Sequence, residues 1–156
     1  MCFKNALIIL LFPLVSFSQL KVDDVASGWK DNIYKAINIV KTYDVEKYNV
    51  LVSECTHIGY WLGNYSTTEG NSTILIPKQV MESGNVNNLA ATLVHESMHL
   101  QIARMKKEIG MTISDGYEER LCYSYELNFL NKIPFVETWL VNHAVIYENL
   151  YSRYLY

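Results

Sequence analysis

His95 and His99 stand four residues apart with Glu96 between them, in the run His95-Glu96-Ser97-Met98-His99, and this spacing constrains the chain more than any other feature. On an α-helix, residues i and i+4 project from one face a turn apart, so the two imidazoles meet a common point only if the segment is helical. The surroundings fit that demand. Asn87 or Asn88 can cap free backbone N–H groups, Leu89, Leu93, Met98 and Ile102 supply an apolar face, and Gly110 offers a stop, which predicts a helix over about 87–107. In a chain with four histidines, chance would produce this pattern only roughly once in 150 sequences.

Two imidazoles so placed can hold one zinc ion through ring nitrogens, and Glu96, displaced around the helix, is positioned to take a proton from a water that the ion acidifies. A catalytic zinc ordinarily has a third protein ligand. The extended form of the motif, with a glycine and a third histidine, fails because Ile102 and Met105 occupy those positions. The remaining donors of suitable chemistry are Glu118, Glu119 and Glu126 on the next predicted helix. Ser114 and Asp115 can cap that helix, which should run to about residue 132, and Glu118 can complete a capping box with Asp115. Glu119 and Glu126 then share a face about 10 Å apart, and Glu119, nearer the connection, is the expected third ligand. Glu126 is left for a supporting contact or as a surface carboxylate, and Glu118 and Glu126 stay open as alternatives.

On His95, Glu96 and His99, followed by Glu119 within Glu119-Arg120-Leu121-Cys122-Tyr123, the chain resembles the gluzincin class of zinc metallopeptidases over roughly residues 73–130. The resemblance implies a zinc-dependent peptidase and makes strand 73–76 a candidate edge for pairing with an extended peptide. In the thermolysin-like pattern an aspartate follows the glutamate ligand by four residues; Tyr123 stands there in this chain.

Around this motif the sequence predicts an α+β domain. The apolar positions Val22, Val25, Trp29, Ile33, Ala36 and Val40 predict an N-terminal helix. Val50-Leu51-Val52, 57–62 and 73–76 read as strands of a small sheet, the last two joined as a hairpin through the Gly- and Asn-rich segment 63–72. Pro134 should open a final helix with the apolar stripe Val136, Trp139, Leu140, Ile146 and Leu150. The expected order is an N-terminal helix, a small sheet, the motif helix and two further helices, a minimal zincin-like plan.

Residues 1–18 read as a secretory leader, with Lys4 before the apolar run 6–12 and small residues before a cut after Ser18. The run is too short to span a bilayer, and Cys2 precedes it, so neither a retained anchor nor a lipoprotein is expected. This leaves one domain, 19–156, secreted or periplasmic. The formal charge of −3 and the lack of a basic tract exclude nucleic acid as an expected partner. Cys55 and Cys122 are free to form one disulfide or none.

Of the other candidates, His57 and His143 could donate to a developing oxyanion, as could the phenols of Tyr117 and Tyr123, although a structural role is the plainer reading of each. Tyr147, Tyr151 and Tyr154 form an aromatic stripe expected to pack in the core. Lys106-Lys107 meet a helix dipole. The expectation is thus a secreted zinc peptidase acting on peptides or proteins. Its alternative is an inactive metal-binding or protein-interaction module on the same scaffold.

Overall fold

The computed structural model describes residues 20–25 and 28–153; the expected leader 1–18, Cys2 and Tyr154 lie outside the described residues. The elements are β1 (Lys21–Val22), α1 (Trp29–Tyr43), α2 (Val45–Glu54), β2 (His57–Trp61), β3 (Thr67–Glu69), β4 (Thr73–Pro77), α3 (Lys78–Glu82), α4 (Val86–Ile109), α5 (Asp115–Leu130) and α6 (Thr138–Ser152). The class is α+β, with a four-stranded sheet in the order β1-β2-β4-β3.

The first helix starts later than its apolar spacing predicts. Val22 lies in β1 opposite Ile58, and Val25 is exposed. Asp23 holds this stretch extended beside β2, taking the backbone N–H of Tyr60 at 3.2 Å and standing 2.8 Å from Nε2 of His57. Gly28, at φ 84°, then turns the chain into α1, whose Trp29, Ile33, Ala36 and Val40 are buried at the predicted three- and four-residue steps.

Val50-Leu51-Val52 is helical rather than a strand. Asp44 caps α2 by accepting the N–H of Lys47 at 3.2 Å, and Lys47, Tyr48, Leu51 and Glu54 form its buried face at helical spacing. Tertiary burial and one cap outweigh the strand preference of two valines. Asp44 also takes an ion pair from Lys132 at 2.8 Å, and Arg104 Nε donates to Glu54 at 2.9 Å, which fastens α2 to the helices behind it.

Nor do β2 and β4 make a hairpin; they run parallel, Ile58 opposite Ile74 and Tyr60 opposite Ile76. The segment between them contains β3, which pairs antiparallel with β4, Thr67 opposite Leu75, through a turn in which Gly70 takes φ 61°. A tight turn joins only antiparallel neighbours, so the hairpin is β3–β4. The strand expected at the edge, 73–76, is therefore interior, and β3 is the outer strand.

Ile58, Ile74 and Ile76 meet Leu89, Leu93 and Leu100 of α4, Ile33 and Val40 of α1, and Phe129 and Leu130 of α5 in one fully buried cluster. Each such side chain contributes about 1.5 to 3 kcal/mol by leaving water. The last helix starts at Thr138, not at Pro134: Phe135 has φ 60° and Glu137 is the N-cap position. The carboxylate of Glu137 accepts the side-chain amides of Asn85 and Asn87, both at 2.9 Å, which joins the start of α6 to the start of α4. Of the apolar stripe foreseen for this helix only Leu140 is buried, joined by Ala144, while Trp139, Ile146 and Leu150 are exposed.

Candidate metal centre

α4 spans the domain because both its ends are well made. The Asn85 side chain accepts the N–H of Asn88 at 2.8 Å, and Gly110 closes the helix at φ 67°. With Leu89, Leu93 and Ile102 committed to burial, the turn 95–99 can place His95, Glu96 and His99 together beside α5. Ser114 caps α5 by accepting the N–H of Tyr117. Glu118 therefore lies outside the capping box, and its carboxylate is used elsewhere.

The two histidines are held alike. Nδ1 of His95 stands 3.0 Å from Oε2 of Glu126, and Nδ1 of His99 stands 2.8 Å from Oε1 of Glu118. The second oxygen of Glu118 accepts from Nζ of Lys106. An ionised carboxylate only accepts, so each Nδ1 carries a hydrogen, and Nε2 is the nitrogen each ring would offer to a metal on losing its own proton. Both of those nitrogens are directed to Glu119: Nε2 of His95 lies 3.6 Å from Oε2 and Nε2 of His99 lies 3.5 Å from Oε1. These separations are long for hydrogen bonds. They are close to the roughly 3.4 Å between two donors that share a tetrahedral ion at about 2.1 Å. In this structure Glu119 faces both imidazoles, while Glu118 and Glu126 stand behind them.

Glu96 is 5% exposed and makes no hydrogen bond to any other described residue. Burial raises its carboxyl above the usual range, against the pull of His95 and His99. At His95 burial opposes the charged ring, but Glu119 and Glu126 outweigh it and lift the imidazole to about 10. Glu119 and Glu118, both resisted by burial, end lower than an ordinary glutamate because of their histidine and lysine partners. Four carboxylates, those of Glu96, Glu118, Glu119 and Glu126, thus converge on two imidazoles and one lysine.

Cys122, three residues after Glu119, also brings its sulfur close, and His95, His99 and Cys122 offer ligand atoms within 4.8 Å of one another. Cys122 is fully buried and absent from the groove lining, whereas His95, Glu96, His99 and Glu119 all face the groove. Burial, then the carboxylates of Glu119 and Glu118, push its thiol well up. Cys122 therefore packs behind the imidazoles, and Glu119 has the better access. Cys55 and Cys122 are separate free thiols, Cys55 donating to the carbonyl of His57 at 3.2 Å. His57 is tied to Asp23 on the sheet and does not line the groove, and neither does Tyr117.

The groove over the histidines has a volume of ≈ 680 Å³. The β2–β3 loop and β3 form one side, with Tyr65, Thr67 and Thr68, and α6 forms the other, with Trp139, His143, Tyr147 and Tyr151. These four lie at successive intervals of four residues, one stripe of a helix. Tyr147 and Tyr151 line the groove instead of filling the core. Tyr123, which stands where an aspartate was a possible support, packs its ring edge-on to His95 at 4.5 Å and stacks on Tyr147 at 5.1 Å. The helical spacing of 139, 143, 147 and 151, interrupted by a histidine, is the signal by which this wall could be found in the sequence. Comparison with protein-family models, curated proteins and solved structures finds no match to this chain.

Proposed function

We propose that this chain is a zinc-dependent peptidase of the gluzincin type, with His95, His99 and Glu119 as metal ligands and Glu96 as general base. The observation that carries the reading is the convergence of both Nε2 atoms on Glu119, at 3.6 and 3.5 Å, while each Nδ1 is anchored by a carboxylate of its own. Two neutral imidazoles and one carboxylate form a donor set suited to zinc with a position left for water. When bound, the ion supplies a Lewis acid that lowers the pKa of water and polarises a carbonyl oxygen.

The chain's own groups supply the remaining steps. Glu96 faces the groove with both oxygens uncommitted to other described residues, so it can accept a proton from water and hand it to the departing amine. Glu126 and Glu118 keep the rings in one tautomer and one orientation through the reaction. The outer edge of β3 borders the groove and can pair with the backbone of an extended peptide, the role first assigned to 73–76. Secretion or export to a periplasm, with the leader 1–18 removed, belongs to the same proposal, as does a peptide or protein substrate.

The test is a paired measurement on purified protein. One zinc per chain is expected, lost on His95→Ala or His99→Ala, and Glu96→Gln should keep the metal while turnover falls by about 10²- to 10⁴-fold. Metal retained in both histidine variants would refute the centre. A Glu96→Gln variant as active as the parent would refute the base and leave an inert metal-binding module as the better account.

A further inference from the structure

The groove is stopped at the end where α4 and α6 both begin. There Glu137 binds Asn85 and Asn87 across the gap, and none of these three residues lines the groove. The lining ends instead at Asn88, Trp139, Leu140 and Val80 of α3. Gln79, beside Val80, donates to the carbonyl of Asn64 at 3.1 Å, so α3 also ties in the β2–β3 loop on the opposite side.

This stop is close to the metal centre. Tyr123 packs edge-on to His95 and stacks on Tyr147, which sets those two residues at one level of the groove. Thr92 stands three residues and Asn88 seven before His95, about 4.5 and 10.5 Å along α4. On the facing wall His143 stands four residues before Tyr147, about 6 Å along α6. An extended chain advances roughly 3.3 Å per residue, so about two residues, and no more than about three, fit between a bond over the histidines and the stop.

A chain end meets donors in this short segment. His143 presents an imidazole N–H in either charge state, Thr92 a hydroxyl and Asn88 an amide, all facing the groove. Among the described residues His143 meets the rings of Tyr123 and Tyr147 and takes part in no hydrogen bond. The carboxylates of the lining, Glu96, Glu119 and Glu126, stand with the histidines, and both oxygens of Glu137 are taken by the two asparagine amides. A terminal carboxylate two residues beyond the cut therefore arrives among hydrogen-bond donors, whereas a terminal ammonium finds no uncommitted anion.

We propose that this site removes dipeptides from the carboxyl end of its substrate, with His143, Thr92 and Asn88 receiving the terminal carboxylate. The inference rests on the peptidase reading. The oxygen of water bonds to the carbonyl carbon of the third residue from the end and the C–N bond to the next residue breaks. The proton taken up by Glu96 passes to the new amine, so one dipeptide leaves for each water consumed.

The test uses short peptides, each prepared as the free acid and as the carboxyl-terminal amide, with the products of the zinc-loaded protein identified by mass spectrometry. Successive loss of dipeptides from the carboxyl end is expected, with the amides cut about tenfold more slowly. Glu96→Gln protein, measured by calorimetry without turnover, should bind the acid about tenfold more tightly than the amide. His143→Ala and Thr92→Val should each shrink that preference by about three- to tenfold. His143 is exposed and Thr92→Val keeps the side chain's shape, so loss of fold does not mimic loss of recognition. Internal cuts, release from the amino end, or equal treatment of acid and amide would overturn the inference and leave the peptidase reading intact. Zinc-loaded protein that cuts none of the peptides would overturn both.

Discussion

His99 and Glu118 form the inner link of a chain that ends in solvent: Nδ1 of the imidazole is 2.8 Å from one carboxylate oxygen, and Lys106 holds the other. His95 has no such extension, since Glu126 behind it is buried and meets no described lysine or arginine. Glu118→Ala should weaken zinc binding by about 10- to 100-fold, and Lys106→Met by less, because the carboxylate survives. Competition against a chromophoric chelator measures both. Equal affinity in Glu118→Ala and the parent would mean that the link does not orient the ring.

Glu119 and Glu126, one ahead of the imidazoles and one behind, give a second comparison. Removing a donor should cost more than removing the group that aims a donor, so Glu119→Ala is expected to lose more zinc affinity than Glu126→Ala. Titrated side by side, the two variants would exchange roles if the order came out reversed.

Cys122 supplies a third. Its sulfur is near both histidines but does not face the groove, so Cys122→Ala should retain zinc, and cobalt-substituted protein should lack a sulfur-to-metal absorption band. A thiolate band that vanishes in the variant would make Cys122 a ligand. Denatured without reductant, the protein should also show Cys55 and Cys122 as titratable thiols.

Acid stability depends on Asp44. Burial resists its charge, but the hydrogen bonds and ion pairs from Lys132 and Lys47 prevail and hold its carboxyl below 3.8. A depressed carboxyl contributes stability that is complete above its unfolded value and is lost as pH falls through the lower folded value. Denaturation midpoints should therefore be level above about pH 4.5 and decline below it. Asp44→Asn keeps a cap but leaves buried Lys47 without its anion, at a cost of about 3 kcal/mol at neutral pH, and its acid decline should be shallower. An unaltered acid slope in the variant would assign the effect to other carboxylates.

The juxtaposition of His95, Glu96, His99 and Glu119 is legible in the sequence because it obeys local rules: four-residue spacing on a helix with a cap and a glycine stop, and a following helix with acids. That Glu119 would face both imidazoles follows from a short antiparallel return. What Glu118 does is hidden, since it depends on Ser114 taking the cap and on Lys106 reaching across from α4. The misread elements have different causes. Val50-Leu51-Val52 has strand-like residues in a helix that is capped by Asp44 and buries Leu51, whereas segment 63–72 looks like one loop although its Thr67–Glu69 pairs with β4 four to eight residues further on. In the first, burial against other helices overrides local preference; in the second, a short hairpin is hidden among turn residues.

Glu137 gives the clasp between α4 and α6 a mechanical meaning. By holding Asn85 and Asn87 at once it pins the α6 wall of the groove to the α4 floor at one end, more than two turns before His95. The floor that carries the histidines and the wall that carries Trp139 thus share an anchor. At the other end the wall is held by Tyr147 and Tyr151 stacked on Tyr123 of α5, so the width of the cleft is fixed at two points along α6.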